Sequence, residues 1–182
     1  MSNEKTIEDI KPINDNRVFI GIDPGKSGGF GLIKIEDGIE FSYAYKFPKQ
    51  LADLPSMLLS HIPNKLSLEN VHVTVEHVHA FPNQGSVSTF SFGQNLGQWE
   101  GVLAACELEP VYVGPRTWMS EFIKLGLEKK DRKRQLYGKA KELFPNIKIT
   151  FNISDALLIT QYAHDQYYNK LTEGVLDGNN QR

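Results

Sequence analysis

The sequence is poor in the residues that build cross-links and cages. Cys106 is the only cysteine in 182 residues, which excludes an internal disulfide and any paired-cysteine metal site and fits a reducing compartment. Long apolar runs are lacking as well. None approaches the roughly 18 to 20 residues that cross a bilayer, and the opening MSNEKTIEDIKPINDN is too polar for a signal peptide. The expectation is a cytoplasmic protein that does not engage a membrane. With 40% hydrophobic and 23% charged residues, the composition is that of one globular domain, not of a collagen, a coiled coil or a disordered chain.

Net charge is also small, at -2, but it is unevenly spread. Between Lys129 and Lys141 stand Lys129, Lys130, Arg132, Lys133, Arg134, Lys139 and Lys141 against one acid, Asp131, so that +6 sits on this stretch and -8 on the rest. A basic stripe on an acidic molecule either is a solvated helix face or draws a polyanion to one place.

The periodicity places the elements. Residues 1–16 read as a flexible arm, 17–170 as one folded domain and 171–182 as a flexible tail. RVFIGID alternates like a strand that ends on an acid, Asp23. GFGLIKI and IEFSYAYKF, split by Asp37-Gly38, read as a hairpin. Leu51–Ile62 has helical spacing, and VHVTVEHV is a fourth strand carrying Glu76. Helical patterns then cover Ser86–Leu108, TWMSEFIKLG, the basic segment up to Phe144 and Ser154–Tyr168, with PVYVG as a fifth strand. This order predicts an α/β fold with a mixed five-stranded sheet flanked by helices, in which the first, fourth and fifth strands run parallel. Asp23 and Glu76 then meet at the carboxyl ends of neighbouring strands, where such sheets build their sites.

Each acid has an ordinary explanation when taken alone. Asp23 in Asp-Pro-Gly suits a turn, and Asp155 at a helix start suits the helix dipole. Glu76, at the end of the apolar run VTV, is harder to explain, because a buried carboxylate needs a partner. As a set, three carboxylates without a His or Cys cage suit a hard cation, Mg2+ or Mn2+, and a pair of such ions can drive in-line phosphodiester hydrolysis. Lys26 and the 129–141 stripe would supply charge for a polyanionic substrate.

Four blocks, IGIDPGKSGGFGLI, VEHVHAFPNQGSVSTFSFGQNLGQWEGVLAA, VGPRTWMSEF and SDALLITQYA, resemble in order and spacing the RuvC-like Holliday junction resolvases, most closely the phage-type branch. The likeness runs from about Phe19 to Ala163. It implies an RNase H-like nuclease domain, a homodimer, and metal-dependent nicking of four-way DNA junctions, in the host cytoplasm if the chain is phage-encoded. It also implies that Asp23, Glu76 and Asp155 are catalytic, metal-binding acids, while Pro115, Thr117 and Trp118 match a block with a structural role. The chain departs from the family at Asn152, which stands where the family has an acid or a histidine, about one helical turn before the last aspartate. An amide oxygen can ligate a hard cation, but it carries no charge and cannot act as a base. A natural variant, a deliberately disabled form and a junction-binding protein that does not cut all fit that residue.

The loop after Glu76 holds His79 and Phe81. An exposed Phe81 would wedge between base pairs of branched DNA; a Phe81 folded onto the core would not. With Lys26, Lys129, Lys130, Arg132, Lys133 and Arg134, these residues form the expected DNA-binding set. The apolar, glycine-rich helix with Phe92, Leu96 and Trp99 is the expected subunit interface. DPGKSGG also resembles the phosphate-binding turn of actin-like ATPases and sugar kinases, but those enzymes close two domains on a nucleotide, and this chain supplies one.

Overall fold

The computed structural model describes residues 16–64, 66–77 and 85–179, with side chains as far as residue 172. Five strands form one sheet in the order β3-β2-β1-β4-β5. They are β1 (Arg17–Asp23), β2 (Gly29–Glu36), β3 (Ile39–Lys46), β4 (Val71–Glu76) and β5 (Pro110–Val113). β1, β2 and β3 are joined antiparallel, while β4 runs parallel to β1 and β5 parallel to β4. The β2–β3 hairpin turns through Asp37 at φ 52° and Gly38 at φ 78°. Positive φ at both central positions marks the turn type whose twist matches the flanking strands.

β1 lies in the middle of the sheet and is apolar on both faces, as a strand covered on two sides must be. Val18, Ile20 and Ile22 join one core with Leu54 and Leu58 of helix α1 (Leu54–Leu59) and Trp99 and Leu103 of α2 (Ser86–Ala105). Phe19 points the other way. It packs in a second core with Trp118 of α3 (Pro115–Met119), Leu136 and Ala140 of α4 (Lys129–Leu143), and Leu157 and Leu158 of α5 (Ser154–Asn179). Burial of each of these large side chains contributes about 1.5–3 kcal/mol.

A notch of two glycines sets the height of α5 over the sheet. Gly21 of β1 and Gly31 of β2 face each other in register. A Cβ on Gly21 would run into the backbone of Ala156 and Thr160, and one on Gly31 into Leu157 and the Thr160 hydroxyl. The α5 backbone therefore rests directly on the sheet, which carries Asp155, one residue before Ala156, down to the end of β1.

Several boundaries differ from the sequence expectation. The Leu51–Ile62 stretch is a 3-10 turn over Leu51–Asp53 followed by the short α1. α3 ends at Met119, well short of the expected helix over TWMSEFIKLG. α5 runs through Asn179 instead of stopping at Tyr168, so the part of the expected loose tail up to that residue is helical. α4 stops before Pro145, as expected, and Phe144 is buried beneath its end.

Candidate active site

Asp23 and Glu76 stand at the carboxyl ends of parallel neighbours, each one residue beyond the last paired positions, Ile22 and Val75. Asp155 enters from above in the first turn of α5. All three are half-buried, and all three carboxyls titrate above their ordinary range. Burial is the main cause for Asp23, which is raised furthest; repulsion from Glu76 and Asp155 adds to it, and Lys133 opposes it. Burial also raises Glu76, against the Trp118 hydrogen bond and Arg132 and together with repulsion from Asp155. Asp155 is raised by burial and lowered by Lys133, by a hydrogen bond from Ser154 and by Arg132. Asp155 thus acts on both other acids, and Lys133 and Arg132 of α4 between them reach all three.

Neighbouring side chains orient two of the acids. Trp118, buried in the second core, donates its indole Nε1 to Glu76 Oε1 at 2.9 Å, and the Ser154 hydroxyl lies 3.3 Å from Asp155 Oδ1. The turn after Asp23 is fastened to α2, where the Gly25 amide donates to Oδ1 of the buried Asn95 at 2.7 Å. Sequence reasoning assigned Trp118 only a structural role and passed over Ser154 and Asn95. The tryptophan in VGPRTW was the one visible signal.

The donor chemistry fits a hard divalent cation: carboxylate oxygens of which two are raised by a neighbouring acid form a site that favours added positive charge. As they stand, the acids are neighbours and not a closed ligand set, since among the described residues no group of three His, Cys, Asp or Glu side chains is arranged around one ion position. Asn152 lies half-buried in the turn leading into α5, and the hydrogen bonds of the described residues do not tie its amide to the acids.

The basic stripe forms α4 and packs on the same side of the sheet as α5. Lys129, Lys130, Lys133 and Arg134 are exposed and Arg132 is partly so. Lys139 is engaged by Glu142 at 2.8 Å, and Lys141 lies 5.6 Å from the Tyr137 ring centre. Of the expected phosphate contacts, Arg132 acts on Glu76 and Asp155, and Lys133 on Asp23 and Asp155. Lys26 is exposed on the turn after Asp23. His79 and Phe81 lie outside the described residues.

Of the residues expected at the subunit interface, Trp99 needs correction. Trp99 is fully buried in its own chain, edge-on to Phe30 and Phe47, Leu96 packs against the same core, and Phe92 lies on that inward side of α2 and is half-buried. The outward stripe holds Val87 and Phe90, 82% and 75% exposed, with Gly93, Gly97 and Gly101, where an added Cβ would meet nothing within 4 Å. The sheet claims the tryptophan because its large apolar surface fills the space over Phe30, and the glycines are left outside.

Among the described residues, no helix is long and apolar enough to cross a membrane. No protein-family profile and no curated protein sequence matches the chain. Solved structures do. RuvC of Thermus thermophilus in complex with a Holliday junction substrate superposes with a TM-score of 0.56 at 16% identity, covering 84% of this chain and 96% of that one. A second structure of T. thermophilus RuvC gives 0.54 at 17% identity over the same shares. The chain, a mixed five-stranded sheet flanked by helices, has the RNase H-like fold seen in RuvC.

Proposed function

We propose that this protein is a structure-selective endonuclease that resolves four-way DNA junctions by divalent-cation-dependent phosphodiester hydrolysis, as a homodimer of the phage-type branch acting in the host cytoplasm. The observation that carries the reading is the convergence of Asp23 and Glu76, at the ends of parallel neighbours, with Asp155 of α5, which is near enough to raise both of their carboxyls, beside the cations of α4. A fold shared with a protein solved on a Holliday junction substrate supports it, and so do the four sequence blocks in their order.

In this reading Asp23, Glu76 and Asp155 hold Mg2+ or Mn2+, with the Asn152 amide oxygen as a fourth and uncharged donor. The bound cation would supply activation of water and stabilisation of the leaving oxygen. Trp118 holds Glu76 through its indole hydrogen bond, and the Ser154 hydroxyl, shared with the Phe151 carbonyl at 3.2 Å, stands beside Asp155. Arg132 and Lys133 offset the negative charge of the cluster and accept the phosphate beside it, while Lys26, Lys129, Lys130 and Arg134 hold the strand farther out. Their phosphate contacts make binding depend steeply on salt. The second copy is placed against the outward stripe of α2, whose glycines allow two helix backbones to approach closely.

Asn152 favours a second reading, a junction-binding protein that does not cut, because the site lacks one charge of the family's set. Incubating a labelled four-way junction and a linear duplex of the same sequence with the protein and Mg2+ separates the two. Nicking of the junction supports the nuclease. Preferential binding without nicking selects the second reading, and equal affinity without nicking rejects both.

A further inference from the structure

A cavity of about 340 Å3 opens between the turn after Asp23, the segment that follows β3, and one flank of α2. Its walls carry Lys26 and Lys49 from the two loops, Phe47 at its base, and Ser91, Gln94 and Gln98 from α2. Among the described residues the lining contains no acid, although the chain outside α4 is strongly acidic. Gln94 and Gln98 are four residues apart, so their amides project side by side. Asn95 between them is committed to the Gly25 amide at 2.7 Å, which locks the α2 flank to the turn that bears Lys26. Phe47 is held edge-on against the buried Trp99 at 5.6 Å. The cavity therefore gathers two cations, paired amides and an aromatic side chain, with Lys26 three residues along the chain from Asp23.

We propose that this cavity is a nucleotide subsite which reads one adenine of the DNA strand next to the cut. Lys26 and Lys49 hold the phosphate, and Gln94 and Gln98 face the base edge. A phosphate requires point charges, which the lysines provide. A glutamine amide offers a donor and an acceptor together, the pattern that matches adenine N6 and N7. Because Lys26 stands on the Asp23 turn, a strand seated here continues directly into the acid cluster. The inference rests on the junction-nuclease reading and adds a base preference that the acids alone do not create.

The test is competition binding in EDTA, so that no cleavage occurs, using four-way junctions in which each nucleotide near the branch point is replaced in turn by the other three bases. Wild type is expected to favour adenine at one position by about fivefold or more, the discrimination of one good amide–base pair. Gln94→Ala with Gln98→Ala should flatten that preference, whereas a mere loss of folded protein would weaken every sequence alike. Lys49→Ala should weaken all sequences equally and lower the log–log salt slope by about 0.9. A wild type that prefers junctions but discriminates at no position, a preference that survives the double replacement, or a salt slope unchanged by Lys49→Ala overturns the subsite alone. A wild type with no preference for junctions over duplex overturns the nuclease reading and the subsite together.

Discussion

Trp118 donates its indole hydrogen to Glu76 across 2.9 Å, joining a side chain buried in the second core to an acid at the end of β4. The bond favours the carboxylate form and opposes the burial that raises the Glu76 pKa. Trp118→Phe removes the donor and keeps an aromatic ring. A hydrogen bond to a charged group contributes about 1.5–3 kcal/mol, so cleavage should slow by about tenfold or more. The acid limb of the pH–rate profile should move to higher pH. An unmoved limb would make Trp118 a packing residue only.

The raised carboxyls also make stability depend on pH. A group whose pKa is raised by folding contributes stability that is complete below its unfolded value and is lost as pH rises through the folded value. Without divalent cation, melting temperature should therefore fall as pH climbs from the ordinary carboxylate range, about 4, through the raised values of Asp23, Glu76 and Asp155. Asp23→Asn should flatten this fall and melt higher than wild type at pH 8 in EDTA, each kcal/mol relieved appearing as about 2–4 °C. Mg2+ should raise the wild-type melting temperature more than that of the variant. A lower melting point for Asp23→Asn in EDTA would contradict the burial argument.

Gly21→Ala tests the seat of α5. The new methyl meets the backbone of Ala156 and Thr160, where no rotamer change can relieve it. Overpacking of this kind costs about 1–3 kcal/mol. Because the displaced helix carries Asp155, the cleavage rate should fall more than the fraction of folded protein does, as followed by calorimetry alongside a cleavage assay.

Asn152→Asp adds the missing charge. If residue 152 is a fourth donor, the variant should cut junctions at least about tenfold faster than wild type, a gain of about 1.4 kcal/mol in transition-state stabilisation, with junction affinity little changed. A rate that is unchanged or lower would show that the amide lies outside the cation site.

The sheet was legible because each strand carries its own signal. Asp37-Gly38 marks the hairpin, and the two-faced apolar run of β1 marks the centre of the sheet. The acids were legible because carboxylates at strand ends and a helix start have few structural reasons to occur together. What the sequence hid was tertiary. Periodicity does not tell which face of α2 meets the sheet when Glu100 is its one charged residue, so the pattern alone puts Trp99 at a subunit interface where the structure buries it. The bond from Trp118 to Glu76 spans 42 residues of chain and has no local signature. Gly174 and Gly178 each disfavour helix by about 1 kcal/mol, which suggested a tail where α5 continues to Asn179.

The account stands or falls on whether three acids from β1, β4 and α5 serve one cation-dependent reaction. The direct measurement is a cleavage time course on a labelled four-way junction in Mn2+, comparing wild type with Asp23→Asn, Glu76→Gln and Asp155→Asn, with binding of each followed in EDTA. Slow cleavage by wild type, its loss in all three variants and retained junction binding throughout is the predicted result. Cleavage that survives in any one of the variants, or a wild type that binds the junction without ever cutting it, would contradict the account.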